Sequence, residues 1–245
     1  MTPSDILSIT SLAPNQVVDR LVHLLLSPPQ HPGPVTVAFM NMRNFVAVRR
    51  NPAAISAYSA MDQIYADGVG LQIGRYLSHL PPFPRVSGTD TVPALLARLP
   101  AGTRVFLLGG NAEVSAAVAS RFQNLFPQTS LVGAQPGFVT PADDDRVVAA
   151  IAESKADLLL LGMGSPLQEE WLARNRHRLT VRLAICVGGL FHYWAGDLHR
   201  APASVRAIGL EWLWILAQQP FKWRVYSVDA ACFALAMRRL RRRTR

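Results

Sequence analysis

Cysteine is scarce in this chain, and the two that occur form no pattern. Cys186 and Cys232 each stand in an apolar stretch, and no partner at metal-ligand spacing accompanies either of them. This excludes the disulfide-rich scaffold of a small secreted protein. We therefore expect two reduced thiols in a cytoplasmic protein, and we assign no metal and no other cofactor.

Long hydrophobic runs are missing as well. No run approaches the roughly 18 apolar residues that a membrane-spanning helix requires. The first residues also lack the basic-then-apolar layout of a secretory signal. Charged residues make up only 17% of the chain whereas 50% are hydrophobic, which excludes general disorder. The 245 residues suit one large α/β domain, alone or with an appendage.

Acidic residues are nearly absent from the C-terminal end, where basic residues are concentrated. Residues 221–245 hold eight basic residues against one acid, so they carry +7 of the net charge of +9. The rest of the chain is almost neutral, at +2. A cationic tail of this kind favours an anionic surface, which can be acidic lipid, phosphate or nucleic acid.

Strand-like and helix-like segments alternate along the body, which predicts a largely parallel sheet covered by helices on both faces. Apolar runs predict strands at 35–40, 63–65, 105–108, 157–161 and 183–187. Helices are expected at 52–60, 71–80, 89–99 with Thr89 as its cap, up to Phe126 in an alanine-rich segment, 200–218 and 227–243.

Four of the predicted strands end in turns that contain glycine. The glycines concerned are Gly68, Gly109, Gly110, Gly164, Gly188 and Gly189. Parallel strands share one carboxyl edge, where backbone N–H groups and helix N-termini suit a diphosphate. Any one of these turns alone is better explained as an ordinary connection between a strand and a helix, and it is the presence of four that favours a ligand site. Neither a G-x-G-x-x-G nor a P-loop sequence occurs, so nothing supports a dinucleotide or ATP site.

Two acidic residues are candidates for chemistry at this edge. Asp67 follows a predicted strand and precedes Gly68, so its carboxylate can accept a proton from a sugar hydroxyl. A cap on the following helix is an equally good interpretation. Asp90 has the same two interpretations, and there a structural role is favoured.

Other polar residues lie close to the same edge in the sequence. Gln168 and Glu169 fall in the first turn of a predicted helix, where Gln168 can donate to and accept from sugar hydroxyls or a uracil. Glu169 can instead balance the charge of the helix terminus. Arg85 lies on a proline-rich loop, where it can contact phosphate or simply remain solvated.

The segment from Glu211 to Trp214 is unusually rich in tryptophan. We favour core packing for its tryptophans over a stacking platform for a ligand. A half-buried Glu211 inside such a segment needs a partner, and Arg200 is the candidate.

Seven motifs, in order, resemble those of a known family. They comprise Asn41, Ala-Asp-Gly-Val-Gly at 66–70, Arg-Val-Ser-Gly-Thr-Asp at 85–90, Leu-Leu-Gly-Gly-Asn at 107–111, 162–169, Gly-Gly at 188–189, and Arg-Ala-Pro at 200–202 with Leu-Glu-Trp at 210–212. Their order and spacing are similar to those of the WecG/TagA/CpsF glycosyltransferase family, and the resemblance spans residues 41–226.

The resemblance implies a bacterial inverting hexosyltransferase with a Rossmann-like α/β core. Such an enzyme moves a hexose-type sugar from a UDP-sugar to a polyprenyl-diphosphate-linked acceptor sugar, in exopolysaccharide or cell-envelope polysaccharide biosynthesis. Asp67 then occupies the position of the catalytic base. Asn41 and Gln168 are expected in the pocket, and Arg85 is placed to contact phosphate or acceptor.

The resemblance also implies a division of the chain into two parts. Residues 1–199 form the α/β core, and residues 200–245 form a basic helical appendage that contains Arg200 and Arg224. The appendage approaches the lipid diphosphate and the inner face of the plasma membrane, so we expect a peripheral membrane protein. The expected partners are the UDP-sugar donor, the lipid-linked acceptor and an anionic membrane surface, without nucleic acid, and a homo-oligomer is compatible with the sequence.

Several positions depart from the family pattern. Phe39, His192 and Ile215 stand where Thr, Asp and Arg are usual, and the segment 220–226 is shorter than usual. The departures at His192 and Ile215 suggest the first alternative, a non-catalytic UDP-sugar-binding scaffold of a polysaccharide assembly. The second is a nucleic-acid-binding protein that uses the arginine-rich tail. Retention of Asp67 and Asn41 argues against the first, and the near-neutral body argues against the second.

Overall fold

The computed structural model describes residues 9–28, 32–77, 81–220 and 223–243. Six strands form one sheet in which all pairings between strands are parallel. They are β1 (Val35–Met40), β2 (Gln63–Ala66), β3 (Arg104–Gly109), β4 (Ser130–Gln135), β5 (Leu158–Gly162) and β6 (Leu183–Cys186). Their spatial order is β2-β1-β6-β5-β3-β4. The predicted α/β, Rossmann-like class is therefore confirmed.

The central strands are apolar along their whole length because both faces of the sheet are covered. Strand β5, for example, contributes four consecutive leucines that are completely buried. All five predicted strands are present, with ends that differ from the prediction by at most one residue. Strand β4 was not predicted from the sequence. It lies at the end of the strand order, so all six of its residues stay partly exposed and it has no apolar run.

Helices cover the two faces of the sheet in two separate hydrophobic cores. The first face carries α1 (Pro14–Leu26), α5 (Gly88–Leu96), α6 (Ala112–Leu125) and α9 (Leu190–Ala195). The second carries α2 (Met42–Arg50), α3 (Pro52–Ser59), α4 (Val69–Leu77), α7 (Asp144–Ser154), α8 (Leu167–Asn175) and α12 (Trp223–Arg243).

The helix between the first two strands differs from its prediction. The segment after β1 forms two helices, α2 and α3, where only the second was expected. Asn51 separates them because it ends α2 and its side chain accepts a hydrogen bond from the N–H of Ala53, at 3.0 Å, to begin α3. Helix α2 was not predicted because it has no long apolar run, and its buried residues are only Phe45, Val46 and Val48.

The cap of α5 is also a correction. Thr89 does not cap the helix, since α5 begins at Gly88 with Ser87 as its N-cap residue, and it ends at Leu96 rather than three residues later. The hydroxyl of Thr89 instead lies 2.8 Å from that of Ser87.

The helix predicted at 200–218 is interrupted once. It forms α10 (Ala203–Ala207) and α11 (Glu211–Gln218), with Gly209 between them at φ +78°. Gly209 is buried, and a side chain there would lie within 3.2 Å of Val69 on α4. The final helix, α12, packs against α2 and α4, and Phe233 meets Phe45 edge-on at 5.5 Å between ring centres.

The tryptophans of α11 are not core residues, which corrects the expectation of core packing. Trp212 is 42% exposed and Trp214 is 37% exposed, and α11 buries no residue at all. The apolar pattern was genuine, but the helix presents it outward. An exposed apolar helix needs a different explanation from packing.

The two cysteines remain thiols, and the described helices are short or polar. Cys186 is buried, Cys232 is partly buried, and both are free. Within the described ranges, every helix is too short or too polar to cross a lipid bilayer.

Candidate active site at the carboxyl edge of the sheet

Three of the four glycine turns border open space at the carboxyl edge of the sheet. A methyl group added to Gly68, Gly164, Gly188 or Gly189 would find no atom within 4 Å. These turns follow β2, β5 and β6. The backbone is therefore exposed to a ligand on both sides of β1, which lies between β2 and β6.

The fourth turn, after β3, is packed against the protein instead. A methyl group on Gly109 would lie 2.5 Å from the carbonyl carbon of Gly162 on the neighbouring strand, and one on Gly110 would lie 2.6 Å from Val114. The N–H of Gly110 donates to the carbonyl oxygen of Gly162 at 3.0 Å. Close packing therefore explains both glycines, and the geometry does not support the predicted contact of either with a ligand.

Asp67 directly follows β2, on the open side of the edge. Its N–H donates to the carbonyl of Met40 at 2.8 Å, which fixes it between β1 and β2. Burial first, and then the carboxylates of Glu211 and Asp90, raise the pKa of the Asp67 carboxyl from 3.8 to about 7. The guanidinium groups of Arg85 and Arg200 act in the opposite direction. Four charged residues from distant parts of the sequence thus converge on this carboxyl.

Arg200 connects these groups. Its Nε donates to Glu211 at 2.9 Å, which confirms the predicted pairing, and one Nη donates to Asp90 and to the carbonyl of Thr89, at 3.0 and 2.9 Å. Its guanidinium also lies 5.8 Å from the ring centre of Tyr193. The second Nη is buried and has no hydrogen-bond partner among the described residues. A donor without a partner in this position is suited to an anionic ligand.

Arg206 joins the same cluster, although sequence inspection did not select it. It donates to Asp90 at 2.9 Å, so Asp90 holds two arginines of the segment that follows β6. Asp90 therefore has ion-pair partners within the protein and also acts electrostatically on Asp67, so both of its interpretations stay predictions. A basic residue six positions after Arg200 was the only signal in the sequence.

Two of the polar residues predicted for the pocket form hydrogen bonds within the protein. The Oδ1 of Asn41 accepts from the N–H of Asn44 at 2.9 Å and so caps α2 at the end of β1. Gln168 is buried, and its Oε1 accepts from the N–H of Gly188 at 3.0 Å. Neither that N–H nor the Gln168 carbonyl is left for a ligand, so Gln168 acts on the edge by fixing the Gly188 turn.

The remaining predicted residues are spread around this edge. Arg85 directly precedes Val86, whose N–H donates to the carbonyl of Ala66 at 2.8 Å, and this bond holds the loop beside Asp67. Glu169 is completely buried beneath the edge and does not border open space. Arg224 belongs to α12, and its side chain lies outside what the structure describes.

His192 lies on α9, directly after the Gly188–Gly189 turn. Its Nδ1 is 2.7 Å from Asp197 Oδ2, and both side chains are about half exposed. An acidic group is therefore present beside His192, although the sequence has no acid at that position itself.

The arrangement as a whole can take a proton and stabilise an anion. A carboxyl with a pKa near neutrality is matched to general-base work at the pH of a cell. Two arginines within electrostatic range of it can stabilise negative charge that develops on a leaving group. Open glycine turns on either side allow a bulky polar ligand to reach these groups.

Comparison with known families gives one result for this chain. The model of the glycosyl transferase WecG/TagA/CpsF family matches residues 5–245. The match covers the whole sheet, the open glycine turns and the helices that follow β6.

Proposed function

The chain belongs to the WecG/TagA/CpsF glycosyltransferase family, and we propose that it moves a hexose-type sugar from a UDP-sugar to a polyprenyl-diphosphate-linked acceptor sugar. The reaction inverts the anomeric configuration and serves the synthesis of a bacterial exopolysaccharide or cell-envelope polysaccharide. The observation that carries the proposal is Asp67, a carboxyl with a pKa of about 7 at the open edge of the sheet.

Asp67 is the proposed catalytic base. In its ionised form it takes the proton from the acceptor hydroxyl while the hydroxyl oxygen forms a bond to the anomeric carbon of the donor. The bond from that carbon to the β-phosphate oxygen breaks on the opposite side, and UDP leaves with the electron pair. Attack from one side and departure from the other convert an α-linked donor into a β-linked product.

Arg85 and Arg200 are the proposed contacts for the diphosphate. Both act electrostatically on Asp67, so both are close to the place where the leaving group gains charge. Arg200 also has the buried Nη without a partner among the described residues. Arg85 makes no hydrogen bond to another described side chain, so an Arg85→Ala change removes its charge without breaking such a bond.

Residues 200–245 form the proposed appendage, which brings the enzyme to lipid. Asp90 of the core binds Arg200 and Arg206, so the appendage is held on the core by ion pairs. Exposed apolar side chains occur on α4, α11 and α12, among them Ile73, Trp212 and Leu235. Together with the arginine-rich end of the chain, such a surface suits the headgroup region of an anionic membrane.

Vesicle sedimentation tests the membrane part of the proposal. Phe233 is part of the core, so removing α12 would unfold the protein, and point changes on α11 are preferable. A Trp212→Ala/Leu213→Ala variant should lose roughly tenfold in binding to vesicles with acidic lipid, because each side chain removed no longer buries its apolar area. Leu125→Ala, at the far end of α6, is the matched control. Equal binding of the two variants would contradict the proposal.

The reaction is tested with a panel of UDP-sugars and a short-chain polyprenyl-diphosphate sugar. Release of UDP together with a lengthened lipid product from one donor supports the proposal and identifies that donor. Binding of UDP-sugar without any product supports the scaffold instead. Binding of nucleic acid in place of UDP-sugars supports the arginine-tail alternative.

A further inference from the structure

A continuous chain of hydrogen bonds runs beneath the open edge of the sheet, from Asn41 to Gly188. It begins at the N-cap of α2, where Asn41 accepts from the N–H of Asn44. The side-chain amide of Asn44 then donates to the carbonyl of Phe39 at 3.3 Å and to the hydroxyl of Tyr58 at 3.4 Å. The end of β1 is thereby connected to α3.

Tyr58 is the centre of this chain of bonds. Its hydroxyl lies 2.8 Å from the hydroxyl of Ser165, in the turn after β5, and donates to Oε1 of Glu169 at 3.1 Å. Because the single proton of Tyr58 goes to Glu169, Ser165 donates to Tyr58. The ring of Tyr58 is almost completely buried, so water does not compete for these bonds.

Glu169 continues the chain to the third turn. Its Oε1 also accepts from the side-chain amide of Gln168 at 2.9 Å, and the carbonyl of Gln168 accepts from the N–H of Gly188. Glu169 is completely buried, and its Oε2 has no partner among the described residues. Burial raises the pKa of this carboxyl, while the hydrogen bonds from Gln168 and Tyr58 act in the opposite direction, so the carboxyl serves as a hydrogen-bond acceptor.

We propose that Tyr58 and Glu169 are positioning residues that hold the Ser165 and Gly188 turns in register with Asn41 to form the donor site. The inference rests on the proposed function, because it assigns these turns to the UDP-sugar. Neither side chain borders open space, so they act through the turns and not on the donor itself. Loss of either link frees a turn that a bound diphosphate requires in one position.

Tyr58→Phe tests this in the full-length protein, with Tyr65→Phe as the matched control. Both tyrosines are buried, and both lose one hydroxyl that is bonded within the protein, to Glu169 and to Gln63 respectively. Tyr58→Phe should melt lower than Tyr65→Phe, because the Tyr58 hydroxyl also bonds Asn44 and Ser165, so both UDP affinities are measured well below either melting temperature. UDP affinity, measured by calorimetry, should fall roughly tenfold in Tyr58→Phe and stay at the wild-type value in Tyr65→Phe.

A second pair of variants separates hydrogen bonding from charge. Glu169→Leu removes the acceptor and should weaken UDP binding by about tenfold or more, whereas Glu169→Gln keeps an acceptor oxygen and should restore most of the loss. The same order is expected for kcat/KM of the donor. A Gln variant as weak as the Leu variant would overturn the proposed role.

The outcomes also separate this inference from the function on which it rests. Equal UDP affinities of Tyr58→Phe and Tyr65→Phe would overturn the positioning role alone. Failure of the unaltered protein to bind UDP would overturn the proposed function, and this inference with it.

Discussion

The two sides of the carboxyl edge are built from similar sequence and differ in what their glycines face. After β3, Gly109 and Gly110 are pressed against the neighbouring strand and α6. After β2, β5 and β6, by contrast, Gly68, Gly164, Gly188 and Gly189 border open space. A glycine after a strand thus has two distinct uses at one edge of one sheet, which are close packing and access for a ligand.

The difference also separates where the charged groups lie. On the open side, the turn after β2 begins with Asp67, and two arginines and two carboxylates act on its carboxyl. On the packed side, the turn after β3 ends in Asn111. The Asn111 side chain accepts from the N–H of Val114 at 2.8 Å and only caps α6. The comparison therefore assigns the chemistry to the open side and stability to the packed side.

The largest expected effect comes from removing the proposed base on the open side. Asp67→Asn should lower turnover by about 10²–10⁴-fold, because the amide cannot accept the proton of the acceptor hydroxyl. Its counterpart on the packed side, Asn111→Ala, should cost about 1 kcal/mol of stability through the lost cap and keep its turnover. Steady-state rates of both variants check this. Near-full turnover of a folded Asp67→Asn protein would remove Asp67 from the mechanism.

Alanine at one glycine of each side sharpens the comparison further. Gly189 has φ −77° and open space around it, so Gly189→Ala should leave the melting temperature unchanged. Its new methyl group should lower kcat/KM for the donor, by roughly tenfold to a hundredfold, because it enters the space assigned to the ligand.

Gly109→Ala provides the opposite result. Its methyl group would meet the backbone of Gly162, and overpacking of this kind costs about 1–3 kcal/mol. Thermal melts of the two variants measure the contrast. If Gly189→Ala were the less stable protein, the division of the edge into open and packed sides would be wrong.

A smaller and continuous effect is expected from pH. The base must be ionised, and the pKa of Asp67 in the folded protein is about 7. Below that pH, kcat/KM should fall by about tenfold per pH unit, and above it the rate should level off. Burial is the largest cause of this raised pKa, and the charges of Glu211, Asp90, Arg85 and Arg200 modify it. A profile that stays flat down to pH 5 would contradict the assignment.

The last expected effect is on stability, and it has the opposite sign to the effect on rate. The pKa of Asp67 is about 7 in the folded state against roughly 3.9 in an unfolded chain. Ionisation therefore costs the folded state stability, which is present below about pH 4 and is lost as the pH rises to about 7. Asp67→Asn should melt higher than the wild type at pH 8, by about 2–4 °C per kcal/mol relieved, and nearly the same at pH 4. Asn111→Ala should melt lower at both.

Much of the fold could be predicted from the sequence, because buried parallel strands leave unbroken apolar runs. The run in β5 is visible without any structure, and so is the pairing of Glu211 with Arg200, which follows from the need of a half-buried acid for a partner. Strand β4 and helix α2 were missed, since neither has a long apolar stretch.

The division of the candidate site could not be predicted in the same way. Gly109 packs on Gly162 because β3 pairs with β5, and strand pairing between distant segments leaves no mark in a single sequence. Tyr58 was overlooked for the same reason, since Ser165 and Glu169, two of its hydrogen-bond partners, lie more than 100 residues away. The outward direction of Trp212 was missed because an apolar pattern does not tell whether its neighbour is protein or lipid. The roles of Asp67 and the other site residues stay predictions until the variants are measured.

Through Arg200, the attachment of the last helices to the core is thermodynamically linked to the ionisation of Asp67. Arg200 joins Glu211 to Asp90, and the seated Glu211 disfavours the charged form of Asp67. Linkage is reciprocal, so the charged form of Asp67 must disfavour the seated position of Glu211 by the same free energy. Arg200 of the same segment acts on Asp67 in the opposite direction and more weakly, so a proton taken up at Asp67 strengthens the attachment of a segment that ends in arginines. In this enzyme, the state of one carboxyl is communicated to the part of the chain that is expected to meet the membrane.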